Sequence, residues 1–508
     1  MNLRPLRLAP WLWGAWMVGC LPGNPSSDTT TTTEGTADST GTGTGSETED
    51  PAAGGELLGC PPGGGCVMLL AAQTLDDRIE VFVPDHPDSA YRGSISMDLK
   101  PNECAGCGLG DNGSGRLDEP FGLVRAGGYL HVLTGHYPSR QEGSLVAFPL
   151  DFFADYSSGS VVPVSDYFAS SQFLDPVVGR SLGEVEPIFL HAHASGRLVV
   201  GVFNNDLFAG EDTWTQTGRL LVIDPADPTG EVGSVTLEGL DNGPCRGASQ
   251  VVDLGGEILA VACDGNEGVA VLDGSNLATG TVAEAAATLG TGAFCSIPGA
   301  MSNKRVRYLA PDGGSGTGFL VGEGPTPLDI NGTARLWHFS TNCGLVGNVQ
   351  LSDMGAPGDW QLGEFVRLPS ATPTWLFAAG SALDGGRRGV FVAHEASGSL
   401  EMCPDPIAGF DSAWDDGNGD FVEPFALALT SDGANLAVGA GPFIADPAGV
   451  GYGKVLWASL SGSDPCSLSA SVTDLTDGDP GRAPAPTDAD PLTFRRGPNV
   501  VVIQEISG

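Results

Sequence analysis

Short runs of alternating apolar and polar residues fill most of the chain beyond residue 66. RIEVFV at 78–83, RLVVGVF at 197–203 and EILAVAC at 257–263 are typical, and Gly, Asp, Asn and Ser separate such runs. A period of two residues, interrupted by turn residues, predicts half-buried β-strands joined by tight turns. Helical spacing is almost confined to VAEAAATL at 282–289. We therefore expect an all-β fold.

The runs form a repeating unit. GGEILAVACDGNEGVAVLDGSNLATGTV at 255–282 reads as turn, strand, short loop, strand, turn and strand, and the same order occurs at 129–151, 197–237 and 434–472. Self-similarity of this kind predicts a repeat architecture. The copies lie near 66–101, 119–152, 186–239, 247–285, 300–352, 363–403 and 423–473. Seven copies fit best, and six or eight stay open because the fifth and sixth copies are less distinct.

Three copies begin alike, with a proline and an apolar run before a glycine turn: Pro120 to Gly128, Pro187 to Gly196 and Pro424 to Gly433. This pattern, with the LLVIDPADPTG hairpin at 220–230, resembles the repeat of YVTN-type and lactonase-like β-propellers. The resemblance implies one seven-bladed β-propeller. The first copy begins abruptly at Cys66 and lacks an innermost strand, which Pro491–Glu505 would supply, closing the ring and covering two sheet edges.

The N-terminus indicates export. Arg4 and Arg7 precede an apolar stretch at 8–18 that is too short to span a bilayer as a mature helix. MVGC at 17–20 resembles the lipobox of bacterial lipoproteins, which implies a signal peptide at 1–19 and a lipid on Cys20; an ordinary cleaved signal is the alternative. Leu21, rather than Asp, favours the outer membrane.

Composition supports a tethered domain. Thr, Gly, Ser and acidic residues dominate positions 22–55, and such a segment cannot bury enough surface to fold. We assign 20–58 to the lipidated cysteine and a disordered linker, and 59–508 to the propeller domain. The net charge of −39 argues against nucleic-acid binding, because such a surface repels phosphate backbones.

Cysteine count agrees with export. Removing Cys20 from the 11 cysteines leaves an even number, which suggests up to five disulfides in an oxidising compartment. Plausible local pairs are Cys60 with Cys66, Cys104 with Cys107, and Cys245 with Cys263. The spacing does not choose partners for Cys295, Cys343, Cys403 and Cys466.

Carboxylates mark several repeat starts. In a propeller the first strand of each blade lines the central channel, so the resemblance implies that Glu119, Glu186 and Glu423 stand at one mouth of it. Asp416, Asn418 and Asp420 have part of the oxygen-ligand spacing of a calcium loop. A bound Ca²⁺ is therefore possible here. The interpretation that we favour is that these are solvated turn acids that mark strands.

The pair His191-Ala-His193 is a second candidate metal site. In a strand, residues two apart lie on one face, so both imidazoles could reach one ion. His131 and Glu186 are the candidates for further ligands of such an ion. The alternative interpretation is that His191 and His193 form a polar strand end that binds no metal.

No catalytic residue can be named from the sequence, since it contains no Gly-x-Ser-x-Gly elbow and no identifiable base. We expect a lipid-anchored envelope protein, monomeric, whose propeller binds a protein or a glycan. One alternative is a metal-dependent lactonase or hydrolase with a channel cation, because one lactonase-like family holds a divalent metal on channel carboxylates. The other is a structural component of an envelope complex.

Overall fold

The computed structural model describes residues 66–73, 78–85, 90–96, 119–136, 141–149, 162–163, 168–169, 172–173, 178–185, 187–203, 217–255, 257–299, 304–313, 318–325, 334–351, 360–381, 388–411, 413–414, 423–441, 454–476 and 500–506. The predicted signal peptide, Cys20 and the linker lie outside these residues. Within them the structure is all-β apart from one α-helix and one short 3₁₀ helix. The prediction of an all-β fold is confirmed.

The first third of the chain contributes ten strands. They are β1 (Cys66–Gln73), β2 (Arg78–Phe82), β3 (Tyr91–Ser96), β4 (Glu119–Ala126), β5 (Tyr129–His136), β6 (Gln141–Pro149), β7 (Val162–Pro163), β8 (Phe168–Ala169), β9 (Gln172–Phe173) and β10 (Val178–Val185).

The middle of the chain contains the helix. Its elements are β11 (Pro187–Ala192), β12 (Leu198–Val202), β13 (Arg219–Ile223), β14 (Val232–Thr236), β15 (Ala248–Gly255), β16 (Ile258–Cys263), β17 (Gly268–Asp273), α1 (Val282–Thr288) and β18 (Gly292–Ser296). A capping box fixes the start of α1, because the Thr281 hydroxyl accepts the Glu284 N–H and the Glu284 carboxylate accepts the Thr281 N–H.

The remaining strands are β19 (Lys304–Pro311), β20 (Gly318–Pro325), β21 (Arg335–Ser340), β22 (Leu345–Gln350), β23 (Trp360–Arg367), β24 (Thr374–Ser381), β25 (Arg388–Ala396), β26 (Ser399–Met402), β27 (Glu423–Leu429), β28 (Asn435–Gly441), β29 (Lys454–Ser461), β30 (Ser469–Asp474) and β31 (Val500–Ile506).

These strands pair into seven sheets of four or five strands, besides the small β8–β9 pair. We number these seven sheets in chain order. Their strand orders are β31-β1-β2-β3-β7 in sheet 1, β4-β5-β6-β10 in sheet 2, β11 to β14 in sheet 3, β15 to β18 in sheet 4, β19 to β22 in sheet 5, β23 to β26 in sheet 6 and β27 to β30 in sheet 7. The C-terminal strand β31 lies antiparallel to β1, with Cys66–Ala72 facing Val500–Ile506.

The innermost strands form a closed ring. β4, β11, β15, β19, β23 and β27 contact one another in that order, and β31 contacts both β27 and β4. Repeated four-stranded sheets around a ring of first strands define a β-propeller. The hydrophobic core lies between sheets, because each core cluster combines residues of two neighbouring sheets, such as Val199 with Val261, and Leu376 with Val438.

Burial follows the position of a strand within its sheet. Every residue of the second strand β12 (LVVGV) is buried, whereas the outermost strand β14 (VGSVT) has one buried residue, Gly233, and is otherwise half-buried or exposed. A strand that is covered on both faces by neighbouring sheets needs a continuous apolar run, and an outer strand that is half solvated does not.

Two of the predicted repeat boundaries are wrong. The copy assigned to 119–152 obtains its fourth strand from β10, and the copy assigned to 247–285 extends to β18. In sheet 4 the reason is α1, which intervenes between the third and fourth strands and buries Val282, Ala285 and Ala286 in the core between sheets 3 and 4.

Three disulfides lie in the described residues. Cys245–Cys263 is the local pair that the spacing predicted, and it ties the connection between β14 and β15 to β16. Cys295–Cys343 joins sheet 4 to sheet 5, and Cys403–Cys466 joins sheet 6 to sheet 7. Cys66 is also disulfide-bonded, and its expected partner Cys60 lies outside the described residues, as do Cys104 and Cys107.

Candidate functional site

Two histidines and one aspartate converge between sheets 3 and 4. His191 belongs to the innermost strand β11, His193 directly follows that strand, and Asp253 belongs to the neighbouring innermost strand β15. Residues two apart in extended backbone point to the same side. Both imidazoles therefore approach the same carboxylate. We call His191, His193 and Asp253 the His-Asp cluster.

The distances within the His-Asp cluster are short. Nε2 of His193 lies 3.1 Å from Oδ1 of Asp253, and Nε2 of His191 lies 3.4 Å from Oδ2 of the same residue. The carboxylate thus contacts one imidazole through each of its oxygens. About a fifth of the His191 side chain (21%) and 28% of the Asp253 side chain are solvent-accessible, so these two side chains lie partly at the surface.

Asp253 is held in its ionised form. Its burial would raise its pKa, but contact with His191, the charges of both imidazoles and a hydrogen bond outweigh that effect and lower the pKa below its usual range. The hydrogen bond comes from the backbone N–H of Ala194, 3.1 Å from Oδ2. A carboxylate that accepts such a bond is fixed in position as well as in charge.

The turn after β11 orients His193. The Ser195 backbone N–H donates to Nδ1 of His193 at 3.0 Å, and the Ser195 hydroxyl oxygen lies 2.8 Å from the same nitrogen. Burial lowers the pKa of His193, opposed by the charge of Asp253. The imidazole is therefore neutral at neutral pH, with one nitrogen bound to the turn and the other facing Asp253.

Two atoms at the centre of the cluster are enclosed and lack a hydrogen bond of normal geometry: Nε2 of His191 and Oδ1 of Asp253. Buried polar atoms of this kind are uncommon and need a partner. Imidazole nitrogen and carboxylate oxygen together are the ligands that divalent transition ions prefer. The ligand atoms of this cluster are, however, too far apart for one ion to reach all three, so the arrangement is a proton-sharing contact between two imidazoles and one carboxylate.

The structure brings together only part of the predicted histidine site. His191 and His193 both contact Asp253, but His131 belongs to a different environment in sheet 2. Its side chain is fully buried there, and Nε2 lies 3.2 Å from the Ala126 carbonyl oxygen. Burial lowers the pKa of His131 to about 4. Glu186 lies outside the described residues.

The sequence interpretation missed Asp253. Asp253 could have been found by aligning the two innermost strands. The pairing register shifts after Pro187 in β11 and after Ala248 in β15, and His191 and Asp253 follow these shifts at equivalent positions. Equivalent positions of neighbouring blades lie side by side around the ring, so the two residues meet.

The predicted carboxylate site falls on residues that are only partly described. β4 begins at Glu119 and β27 begins at Glu423, so Glu-Pro does mark the starts of innermost strands. The side chains of Glu119 and Glu423, and all of Glu186, Asp416, Asn418 and Asp420, lie outside the described residues. The proposed Ca²⁺ stays a prediction.

Among the described residues, only His394, Cys403 and Cys466 have ligand atoms with the mutual spacing that one metal ion requires. The two sulfur atoms are bonded to each other, and Nε2 of His394 lies 3.5 Å from Sγ of Cys466. A thiolate is the form of cysteine that binds a metal. With the disulfide formed, this group offers one imidazole only.

Comparisons with known proteins add little beyond the fold. The chain matches no protein-family model and no curated protein. Solved structures that resemble it include a hypothetical selenium-binding protein from Sulfolobus tokodaii, with 11% identity and a TM-score of 0.44, covering 82% of this chain and 92% of that one. Apo AztD from Citrobacter koseri has 12% identity and a TM-score of 0.36, covering 87% and 99%.

An ancestral GH74 enzyme is also similar, with 12% identity and a TM-score of 0.42, covering 81% of this chain and 46% of that one. At these identities and TM-scores, the activities of those proteins are not assigned to this chain. The sheets and the ring contacts define the class: this chain is a β-propeller protein. Among the described residues, no helix has the length and apolar character that crossing a membrane requires.

Proposed function

We propose that this chain is a lipid-anchored protein of the bacterial envelope, whose seven-bladed propeller is a binding scaffold for a protein or a glycan. The observation that carries the scaffold is the closed ring of innermost strands, which includes the C-terminal strand β31. Each of the seven sheets would be one blade, and their regular strands would hold the connections between them in fixed positions. Rigid frames that present many connections are well suited to recognition.

The anchor is supported by the sequence pattern MVGC at 17–20 and by the polar segment that follows it. The YVTN-like repeat starts at Pro120, Pro187 and Pro424 support the same class of exported propeller. In the envelope, a lipid on Cys20 and a flexible tether would keep the propeller close to the membrane surface.

Membrane fractionation of a bacterium that expresses the full chain tests the anchor. The wild-type protein is expected in the membrane fraction and to incorporate a labelled fatty acid, while Cys20→Ser is expected to lose the label and leave that fraction. Cys245→Ser is the matched control, since it removes a cysteine of the propeller and should keep the label. A labelled Cys20→Ser protein would contradict the anchor.

Cross-linking in intact cells tests the scaffold. The anchored propeller is expected to capture one protein or glycan reproducibly. A propeller that has been unfolded by reduction of its disulfides is the control, and it is expected not to capture that partner. Capture of a constant set of envelope subunits in fixed proportion would favour the structural-component alternative. No specific capture would contradict both.

The hydrolase alternative has one observation in its favour, the His-Asp cluster. Hydrolysis assisted by a metal needs an ion with an open coordination position and a group that accepts a proton from water. Turnover of lactones or esters by the purified chain, lost in His191→Asn, would establish it in place of the scaffold.

A further inference from the structure

We propose that the disulfide Cys403–Cys466 is a thiol-exchange site, where a small thiol attacks the exposed sulfur and forms a reversible mixed disulfide on Cys466. His394 assists this exchange as a hydrogen-bond donor to sulfur. The site lies at the outer parts of sheets 6 and 7, away from the ring of innermost strands. The inference is independent of the lipid anchor and of the partner of the scaffold.

The two halves of this disulfide differ in exposure. Cys403 directly follows β26 and is only 2% accessible, because it packs in the core between sheets 6 and 7. Cys466 is exposed and lies in the 3₁₀ helix Pro465–Ser467, which connects β29 to β30. Thiol–disulfide exchange depends on which sulfur the attacking thiolate can reach. A thiol in solution therefore reaches Cys466 and not Cys403.

The other two disulfides with both halves described are more enclosed. Cys245 and Cys263 are completely buried, and Cys295 is 2% accessible, while its partner Cys343 is half-buried. We expect these two disulfides to resist a thiol for as long as the protein is folded. They therefore serve as internal references for the exchange at Cys466.

An imidazole lies beside both sulfurs of the exchange site. Nε2 of His394, in β25, is 3.5 Å from Sγ of Cys466, and Sγ of Cys403 is also within 4.8 Å of the ring nitrogen. A disulfide sulfur carries no hydrogen, so the nitrogen is the donor in this contact and the sulfur is the weak acceptor. A donor in this place stabilises the negative charge that develops on sulfur when the S–S bond breaks.

The exchange balances without any other oxidant or reductant. The attacking thiolate forms a new S–S bond to Sγ of Cys466, the old S–S bond breaks, and its electron pair leaves with Sγ of Cys403. The sulfur of the small thiol is thereby oxidised and that of Cys403 is reduced, and Cys403 takes up a proton from the imidazole or from water. In the reverse step, the Cys403 thiolate attacks Cys466 and releases the small thiol.

Other contacts hold the segment after β26 to sheet 7, so the disulfide can open while the ring stays closed. The Ala470 N–H of β30 donates to the Ala408 carbonyl oxygen at 2.8 Å, and Nζ of Lys454 in β29 donates to the Ala413 carbonyl oxygen at 3.1 Å. The core cluster between the two sheets also combines residues of β24 and β25 with residues of β28 and β29. Exchange at Cys466 would thus release the 3₁₀ helix rather than a sheet.

Timed exchange with reduced glutathione tests the proposal on the oxidised, folded full chain. Excess N-ethylmaleimide stops the reaction, and peptide mass spectrometry locates each mixed disulfide and each alkylated cysteine. We expect glutathione on Cys466 and maleimide on Cys403, formed at least about tenfold faster than any opening of Cys245–Cys263, because the rate follows access to sulfur. Glutathione on Cys403, no exchange at this site, or opening of all disulfides at one rate would overturn the proposal.

Single-cysteine variants separate the two sulfurs. Cys403→Ser leaves the Cys466 thiol, which is expected to form a mixed disulfide with oxidised glutathione while the protein is folded. Cys466→Ser leaves the buried Cys403 thiol, which is expected to react at least about tenfold more slowly. Equal rates would contradict the selective exposure of Cys466. Thermal melting curves verify the fold, and the exchange pattern of the wild type carries the test if either variant does not fold.

His394→Phe tests the imidazole, because it keeps a ring of similar size and removes the donor. We expect exchange at Cys466 to slow by about tenfold, less than the roughly 10²–10⁴-fold typical of general acids, because a thiolate can leave before it is protonated. The melting temperature is expected to stay near that of the wild type, since His394 is only half-buried. A slower exchange without a loss of stability is a result that a purely structural role would not give.

Glu401→Gln is the matched control for His394→Phe. Glu401 is exposed and faces His394 across β25 and β26, so this variant removes a charge from the same place and keeps the imidazole. We expect its exchange rate to stay within about twofold of the wild type, since exposed charges contribute little. An unchanged rate in His394→Phe, or equal slowing in both variants, would contradict the role of His394.

Discussion

A single carboxyl group, Glu364, links two innermost strands of the ring. It belongs to β23, and its Oε2 accepts the Leu427 N–H of β27 at 2.9 Å. Burial raises the pKa of Glu364 to about 8, although the hydrogen bond from Leu427 lowers it. Gln250 occupies the corresponding place in sheet 4, where its amide oxygen accepts the Leu309 N–H of β19. A side-chain oxygen therefore accepts the backbone N–H of the next innermost strand in both places, from the ionisable Glu364 in one and the neutral Gln250 in the other.

We expect Glu364→Gln to remove a pH-dependent loss of stability. Glu364 has its pKa raised in the folded state from an ordinary value of 4.5, so the unfolded chain loses this proton first as pH rises. The free energy of unfolding then falls between about pH 4.5 and pH 8, and it stays at the lower value above that window because this group causes no further change with pH. The full shift corresponds to about 5 kcal/mol, and we expect about 2–3 kcal/mol because Glu364 retains some solvent-accessible area.

Urea unfolding at pH 5 and pH 8 measures this difference. The loss of stability between the two pH values should be smaller in Glu364→Gln than in the wild type by that amount. Gln250→Glu is the complementary variant and should add a similar loss. Wild-type and Glu364→Gln profiles that run parallel would show that Glu364 is not protonated in the folded protein.

The candidate site shows what residue-level reasoning can and cannot supply. The i, i+2 spacing of His191 and His193 predicted that both imidazoles lie on one side of the strand, and both contact Asp253, each through a different carboxylate oxygen. Their shared partner Asp253 comes from the next repeat, and its approach depends on the register of two innermost strands. That register is set by an irregularity early in each strand, between Pro187 and Phe189 in β11 and between Ala248 and Val251 in β15, which hydrophobic alternation does not reveal.

At the scale of elements, disulfides join neighbouring sheets through their outer parts. Cys295 lies in β18, the outermost strand of sheet 4, and Cys343 lies in the turn between β21 and β22 of sheet 5. The sequence could not choose this pair, because the two cysteines belong to different repeats. The local pair Cys245–Cys263 could be chosen because the two cysteines are close in sequence, with a separation of 18.

We expect Cys295→Ser combined with Cys343→Ser to lower the free energy of unfolding by about 3–4 kcal/mol. The bridge closes a loop with a sequence separation of 48, and its loss gives the unfolded chain more conformational freedom. Denaturant unfolding of the oxidised proteins measures the effect. The Cys245/Cys263 double serine variant is the comparison, with a smaller expected loss because its sequence separation is 18. A larger loss in the short loop would contradict the chain-entropy explanation.

At the scale of the whole molecule, the repeated pattern predicted the propeller but not all of its boundaries. Strand alternation and the Glu-Pro pairs located the starts of the innermost strands β4 and β27. Proline lacks a backbone N–H, so within a sheet it is tolerated at the first positions of a strand, before a backbone donor is needed. The outermost strands were harder to locate. They are half solvated and weakly patterned, as β22 (LVGNVQ) shows, and α1 intervenes before β18.

The C-terminal strand is expected to decide whether the ring closes. β31 pairs with β1 along Cys66–Ala72 and contacts the innermost strands β4 and β27 on either side. Without it, β1 would present an unpaired edge beside the buried residues Leu69 and Leu70.

We expect deletion of residues 499–508 to lower the free energy of unfolding by on the order of 5 kcal/mol or more, since each backbone hydrogen bond contributes about 0.5–1.5 kcal/mol and apolar contacts are lost as well. Size-exclusion chromatography and thermal unfolding should show association and a lower melting temperature, whereas a chain that ends at Ile506 should behave as the wild type. A monomeric deletion variant of unchanged stability would mean that the ring holds without β31, and that β1 needs no partner on its inner side.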